Sequence, residues 1–212
     1  MAQDIFERLS QFGVVPVIAI ESPDDAVALA DALIEGGLPV AEITFRTDAA
    51  RKVIETLACA RPELFLGAGT VLTPENADAA KEAGAQFAVA PGFNPAVVNC
   101  AREVGLPFAP GIATPSEIEQ AMGLGCRVLK LFPAEALGGV KTLNALAGPY
   151  KHTGVKFIPT GGVNAGNLKS YLDTGIVAAC GGTWVAKKAD IAAGNWDAIK
   201  ARCAEVASIV HG

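Results

Sequence analysis

The sequence predicts an α/β fold, a (β/α)8 TIM barrel preceded by a short extra N-terminal helix. Three observations carry this. Short apolar, β-branched-rich runs alternate along the chain with Ala- and charge-rich stretches at helical spacing. Eight such runs begin at residues 14, 39, 64, 86, 106, 127, 156 and 177, with starts 20 to 29 residues apart, enough for one strand, one short helix and two loops. Glycines and prolines, among the chain's 23 and 13, recur where the runs end. Such alternation implies parallel strands joined by helical crossovers and buried on both faces. An open doubly wound sheet is the competing architecture, but no G-x-G-x-x-G follows the first run, which ends Ile18-Ala19-Ile20-Glu21-Ser22.

Taken in order, residues 1–11 are polar and mixed in charge and read as an amphipathic helix, without the basic and then apolar segments of a signal peptide. Strands follow at 14–20, 39–46, 64–71 and 86–92, with helices at 23–35, 49–60, 75–83 and 95–104 between and after them. The last four strands lie at 106–112, 127–134, 156–162 and 177–184. The 212 residues read as one domain. With 51% hydrophobic and only 18% charged residues, against about 25% charged in an average soluble protein, the chain favours a large buried core and excludes disorder. Seventeen Lys and Arg against 22 Asp and Glu, with no basic cluster, exclude a basic nucleic-acid binder. No apolar run reaches the ~20 residues of a membrane span. Five scattered cysteines without a C-x-x-C pair read as buried, reduced thiols of a cytoplasmic protein. His152 and His211 have no ligand neighbours and no Asp/Glu/His cluster exists, so no metal is predicted.

In a barrel the carboxyl ends of the strands form the face on which active sites are built. Gly67-Ala68-Gly69-Thr70, Pro91-Gly92, Pro110-Gly111, Pro133, Thr160-Gly161-Gly162 and Gly181-Gly182-Thr183 fall there. Any one of these reads as a turn from strand to helix. Together they read as a face where backbone approaches a ligand.

Lys130 has Val128 and Leu129 before it and Leu131 and Phe132 after it, in mid-strand. An unpartnered ammonium there is costly to bury. Alternation puts Val128, Lys130 and Phe132 on one face and the two leucines on the other, so Lys130 points into the barrel. Desolvation disfavours the charged form of such a lysine and supplies the neutral amine that attacks a ketone. A structural lysine held by a buried carboxylate is the alternative. In the second strand Val40, Glu42, Thr44 and Arg46 share a face, which places Arg46 roughly 13 Å beyond Glu42, at the rim. That spacing suits a deep carboxylate for proton transfer and a rim guanidinium for a substrate carboxylate. A Glu42–Lys130 ion pair would arise in a structural core and in an active site alike.

Thr160-Gly161-Gly162 and Gly181-Gly182-Thr183-Trp184 close strands seven and eight, whose following loops hold phosphate in many barrels through backbone N–H groups. The two Gly-Gly pairs together point to a phosphorylated substrate. Thr70 and Pro91 end strands three and four at the same mouth. Glu135 is a competing carboxylate, read as a solvated loop residue, and Lys156 starts its strand and so belongs to the opposite mouth.

Glu42-Ile43-Thr44-Phe45-Arg46, Gly67-Ala68-Gly69-Thr70, Pro91-Gly92, Lys130-Leu131-Phe132-Pro133-Ala134-Glu135, Pro159-Thr160-Gly161-Gly162 and Gly181-Gly182-Thr183-Trp184 resemble, in order, the motifs of the 2-keto-3-deoxy-6-phosphogluconate (KDPG) and 4-hydroxy-2-oxoglutarate aldolase family. The resemblance covers essentially the whole chain. It implies a class I, imine-forming aldehyde-lyase, homotrimeric and cytoplasmic, with no cofactor. Its partners would be a phosphorylated keto acid, cleaved to pyruvate and glyceraldehyde 3-phosphate, with 4-hydroxy-2-oxoglutarate as a second substrate. The same resemblance places the imine-forming lysine at Lys130, the general acid/base at Glu42 and the pyruvyl-carboxylate contacts at Arg46 and Thr70. Pro91 and Phe132 line that pocket, and Gly161, Gly162 and Gly182 supply the phosphate-binding backbone. Thr160 matches the gluconate-specific branch, since galactonate-specific relatives tend to an apolar residue there. Thr183 stands where the family usually has serine; it keeps the hydroxyl and the N–H and adds a methyl beside the phosphate.

Other functions fit parts of this pattern. A metal-dependent pyruvate aldolase needs acidic and His ligands that the sequence does not group. A phosphosugar isomerase or epimerase would share the barrel, the phosphate loops and the glutamate base, leaving Lys130 an electrostatic role. A phosphoester-binding module would have no use for the buried amine.

Overall fold

The computed structural model describes residues 2–212, with side chains described from residue 5 onward. The N-terminal helix α1 spans Ala2–Phe12, and Met1 of the predicted helix lies outside the described residues. The strands are β1 (Val14–Ile18), β2 (Val40–Thr44), β3 (Phe65–Gly69), β4 (Phe87–Val89), β5 (Phe108–Ala109), β6 (Gly111–Ile112), β7 (Val128–Leu131), β8 (Lys156–Pro159) and β9 (Cys180–Gly182). The helices are α2 (Ala26–Glu35), α3 (Ala50–Ala60), α4 (Pro74–Glu82), α5 (Pro95–Glu103), α6 (Pro115–Gly123), α7 (Gly139–Ala147), α8 (Ala165–Leu172), α9 (Lys188–Ala192) and α10 (Trp196–His211). Helices α4, α5 and α6 share one entry device. Thr73, Asn94 and Thr114 cap them with a side-chain oxygen, and a proline follows at once. The N–H that proline lacks is one a helix start leaves free anyway. Prolines therefore mark helix starts as well as strand ends.

Every ladder is parallel. One run is ordered β5-β4-β3-β2-β1-β9 and another β6-β7-β8. β8 meets β9 through the bridges Phe157 to Val177 and Thr160 to Gly181. The predicted fifth strand is divided at Pro110, which has no N–H to give a ladder. Its first piece, β5, pairs back to β4, and its second, β6, pairs onward to β7. That division closes the round, and the eight expected runs become nine short segments. β2 also ends earlier than predicted: Arg46 N–H donates to Thr44 O at 2.7 Å, so Phe45 and Arg46 form a turn instead of the strand's last step.

The side chains that alternate outward, among them Ile18, Ile43 and Leu129, are fully buried between barrel and helices. Helix α1 covers part of the amino mouth. Its Phe6 and Leu9 are buried, Phe12 stacks on Phe65 at 6.1 Å, and Phe65 tilts against Phe87 at 5.2 Å. A 670 Å³ cavity lies at this mouth, bordered by Phe6, Phe108, Val128 and Lys156, and no predicted site residue lines it. Cysteines 126, 180 and 203 are buried, but Cys59 is exposed. It falls off the face of α3 that packs on the core through Val53, Ile54 and Leu57.

Candidate active site

Glycines in the strands make room for the long inward side chains. Glu42 on β2 and Lys130 on β7 both point into the barrel and meet there, with Lys130 Nζ 3.0 Å from Glu42 Oε1 and 3.2 Å from Oε2. Their side chains are 5% and 2% exposed. A side chain on Gly69 would run into the Glu42 carboxylate, and one on Gly67 into the Phe87 ring. These glycines thus give space, in addition to shaping strand ends. An ion pair this deep gains little net stability over an apolar pair, because both charges lose their water. Chemically, an amine and a carboxylate in hydrogen-bond contact can exchange a proton, which is what an amine nucleophile needs.

Arg46 stands at the rim, exposed, and its Nε donates to Thr44 Oγ1 at 3.1 Å. Thr44, buried, donates in turn to Ile18 O at 2.9 Å. The guanidinium is therefore anchored through one nitrogen, leaving its terminal nitrogens for a ligand. Thr70, just past β3, has φ 56°, the one non-glycine residue with positive φ among those described. For a β-branched residue this conformation costs on the order of 1–3 kcal/mol, a strain that clusters at ligand sites. Pro91 lies past β4 and packs against Gly111, where a side chain would collide with its carbonyl. Phe132, one residue beyond β7, is 38% exposed at the mouth.

Two carbonyls organise the loop after β8. Gly161 O accepts from Glu135 N–H at 3.0 Å, and Gly162 O accepts from the amides of Asn164 and Asn167 at 3.1 and 3.2 Å. Both glycines have positive φ, 97° and 83°, as only glycine does readily. In a trans peptide the C=O and the next N–H point opposite ways, so the N–H groups of Gly162 and Val163 turn away from these partners. Neither those two nor the N–H groups of Thr183 and Trp184 are hydrogen-bonded among the described residues. Free backbone N–H groups of this kind can receive an anion. Thr160 is buried, bonds Ile158 O at 3.4 Å and fills the space that Gly181 leaves. Gly182 is buried against the Trp184 ring, whose Nε1 is buried without an acceptor, and Thr183 is exposed.

Sequence reasoning placed Thr44 on the inward face but gave no role to it, to Val163 or to the Asn164/Asn167 pair. Thr44 shares the inward face of Glu42, and the two asparagines, spaced as a capping box, form one at the start of α8. Glu135 is exposed as expected, but it is not merely solvated: its carboxylate accepts a hydrogen bond from the Tyr171 hydroxyl.

A family model for KDPG and KHG aldolase matches residues 5–202. The chain belongs to the KDPG and KHG aldolase family. It is 44% identical over 98% of its length to the 2-dehydro-3-deoxy-phosphogluconate aldolase of Haemophilus influenzae, covering 97% of that protein. It is also 44% identical to the KHG/KDPG aldolase of Escherichia coli K12, covering 88% of this chain and 86% of that one. A KDPG aldolase structure from Legionella pneumophila, with pyruvate captured at low pH as a covalent carbinolamine intermediate, superposes with a TM-score of 0.91 at 38% identity, covering 97% and 98% of the two chains. The parallel barrel of this chain carries an N-terminal helix. Among the described residues no helix is long and apolar enough to cross a membrane.

Proposed function

We propose that this protein is a class I aldolase that cleaves 2-dehydro-3-deoxy-6-phosphogluconate to pyruvate and glyceraldehyde 3-phosphate. The observation that carries the reading is the buried contact of Lys130 with Glu42 at 3.0 Å. Glu42 takes a proton from Lys130, and the free amine adds to the C2 ketone. The carbinolamine loses water, with Glu42 moving the protons, and leaves an iminium. Glu42 removes the C4 hydroxyl proton, the C3–C4 bond breaks, and its electrons pass into the iminium as an enamine while the aldehyde departs. Protonation at C3 and addition of water release pyruvate and restore the amine, so the water lost is regained. Arg46 and Thr70 hold the carboxylate and aim the ketone at Lys130. Pro91 and Phe132 wall the pocket, and the backbone of Gly161, Gly162, Gly182 and Thr183, beside Thr160, receives the phosphate. The imine divides one hard cleavage into easier steps.

Cleavage of 4-hydroxy-2-oxoglutarate to pyruvate and glyoxylate uses the same steps without the phosphate contacts, and both activities appear in the family's description. A cytoplasmic homotrimer is part of the same proposal, checked by light scattering of the purified protein. Borohydride reduction with pyruvate, followed by peptide mapping, tests the chemistry. A stable adduct on Lys130 supports the aldolase, and its absence in a folded protein that interconverts phosphosugars without releasing pyruvate would move the reading to an isomerase with an electrostatic lysine.

A further inference from the structure

The phosphate nest is shaped from below by a side chain outside the catalytic machinery. Glu135 contacts the loop after β8 twice. Its backbone N–H holds Gly161 O at 3.0 Å, and its stem lies against Gly162, where an added Cβ would be 2.5 Å from Glu135 Cβ and 2.6 Å from Cγ. The neighbouring Ala134 N–H holds Thr160 O at 2.8 Å. The segment after β7 is thus zipped to the loop after β8. What fixes its far end is Tyr171, a fully buried residue of α8 whose hydroxyl bonds the Glu135 carboxylate. Burial, and then the carboxylate, push the Tyr171 hydroxyl above its ordinary pKa, so it stays a protonated donor at working pH.

We propose that Glu135 and Tyr171 are a positioning pair that sets the enzyme's preference for phosphorylated over unphosphorylated substrate. The argument runs through peptide orientation. With Gly161 O held by Glu135, the N–H of Gly162 faces the nest; if Glu135 drifts, that peptide can turn and replace the N–H with a repelling carbonyl. The imine centre has no part in this link, because Lys130 and Glu42 bond only each other among the described side chains. The pair therefore acts on phosphate binding and leaves the chemistry intact. This rests on the aldolase reading above.

The test compares Tyr171→Phe, Glu135→Ala and Glu135→Gln with the unaltered enzyme. KM and kcat are measured on the phosphorylated substrate and on 4-hydroxy-2-oxoglutarate, with inorganic phosphate as a competing probe. Tyr171→Phe and Glu135→Ala are expected to raise KM for the phosphorylated substrate about fivefold to tenfold. They should weaken phosphate inhibition equally and leave kcat/KM on 4-hydroxy-2-oxoglutarate within about twofold. Glu135→Gln keeps the stem and an acceptor for the tyrosine, so it should restore most of the preference. Equal losses on both substrates, or an unchanged preference in Tyr171→Phe, would overturn the pair's role. An unaltered enzyme that fails to trap pyruvate would instead sink the aldolase reading itself.

Discussion

Lys130 and Glu42 are 88 residues apart in the chain and 3.0 Å apart in the barrel, and neither has another side-chain partner among the described residues. Removing one member leaves the other charge buried alone. Lys130→Met is therefore expected to cost about 3–5 kcal/mol of stability, read by urea unfolding, and to abolish turnover. The double variant Lys130→Met with Glu42→Leu, which buries no charge, should recover most of that stability while remaining inactive. A double variant as unstable as the single one would mean that lost packing, not the stranded carboxylate, is responsible.

Glu42→Gln separates proton transfer from imine formation. The amide keeps the shape and a hydrogen-bond acceptor for Lys130 but cannot take a proton. Turnover should fall about 10²- to 10⁴-fold, while pyruvate and borohydride still label Lys130, slowly. A variant that turns over at half the normal rate would remove Glu42 from the proposed proton path.

Much of this arrangement was legible in the residues. Period-two alternation gives the inward direction of Glu42 and Lys130 because a strand buried on both faces has no freedom to rotate. The division at Pro110 and the early end of β2 were not legible in that way. Both depend on which N–H finds a ladder partner, and an apolar run does not say so. The loop after β8 was half visible: the Gly-Gly pair marks the turn, but the carbonyl anchors come from Glu135, Asn164 and Asn167, and Glu135 lies on another loop. Tyr171 could not be paired with Glu135 from sequence, since 36 residues separate them and only the packing of α8 against the barrel joins them.

Thr70 stores strain at φ 56°. Thr70→Asn suits that backbone better and should stabilise the protein by roughly 1 kcal/mol in chemical unfolding. The same change removes the hydroxyl proposed to hold the substrate carboxylate and should raise KM. Unchanged stability together with an unchanged KM would show that the conformation is neither strained nor functional.

The thiols give a pH-dependent reading of burial. Burial pushes Cys126 up to about 11 and Cys180 and Cys203 up to about 12. A raised thiol pKa keeps the unreactive protonated form dominant until pH approaches those values, so the three should resist iodoacetamide at pH 8 and react once the chain is unfolded. Exposed Cys59 should be alkylated first, with activity retained. Mass spectrometry of the labelled peptides checks the order, and rapid native labelling of Cys180 would contradict the packing of β9.

Arg46 is anchored by Thr44 at 3.1 Å, so its role can be probed from two directions. Arg46→Lys keeps the charge but loses both the planar fork and the Nε bond to Thr44. A lost charge-assisted carboxylate contact is worth about 1.5–3 kcal/mol, which converts to a KM increase of roughly 10- to 100-fold for both substrates, since both carry the pyruvyl carboxylate. Thr44→Val leaves the guanidinium in place but untethered, and it also strips Ile18 O of its donor. Its effect on KM should be about fivefold and again equal for the two substrates, in contrast to variants at the phosphate end. A Thr44→Val enzyme that discriminates between the substrates would show that Arg46 serves the phosphate and not the carboxylate.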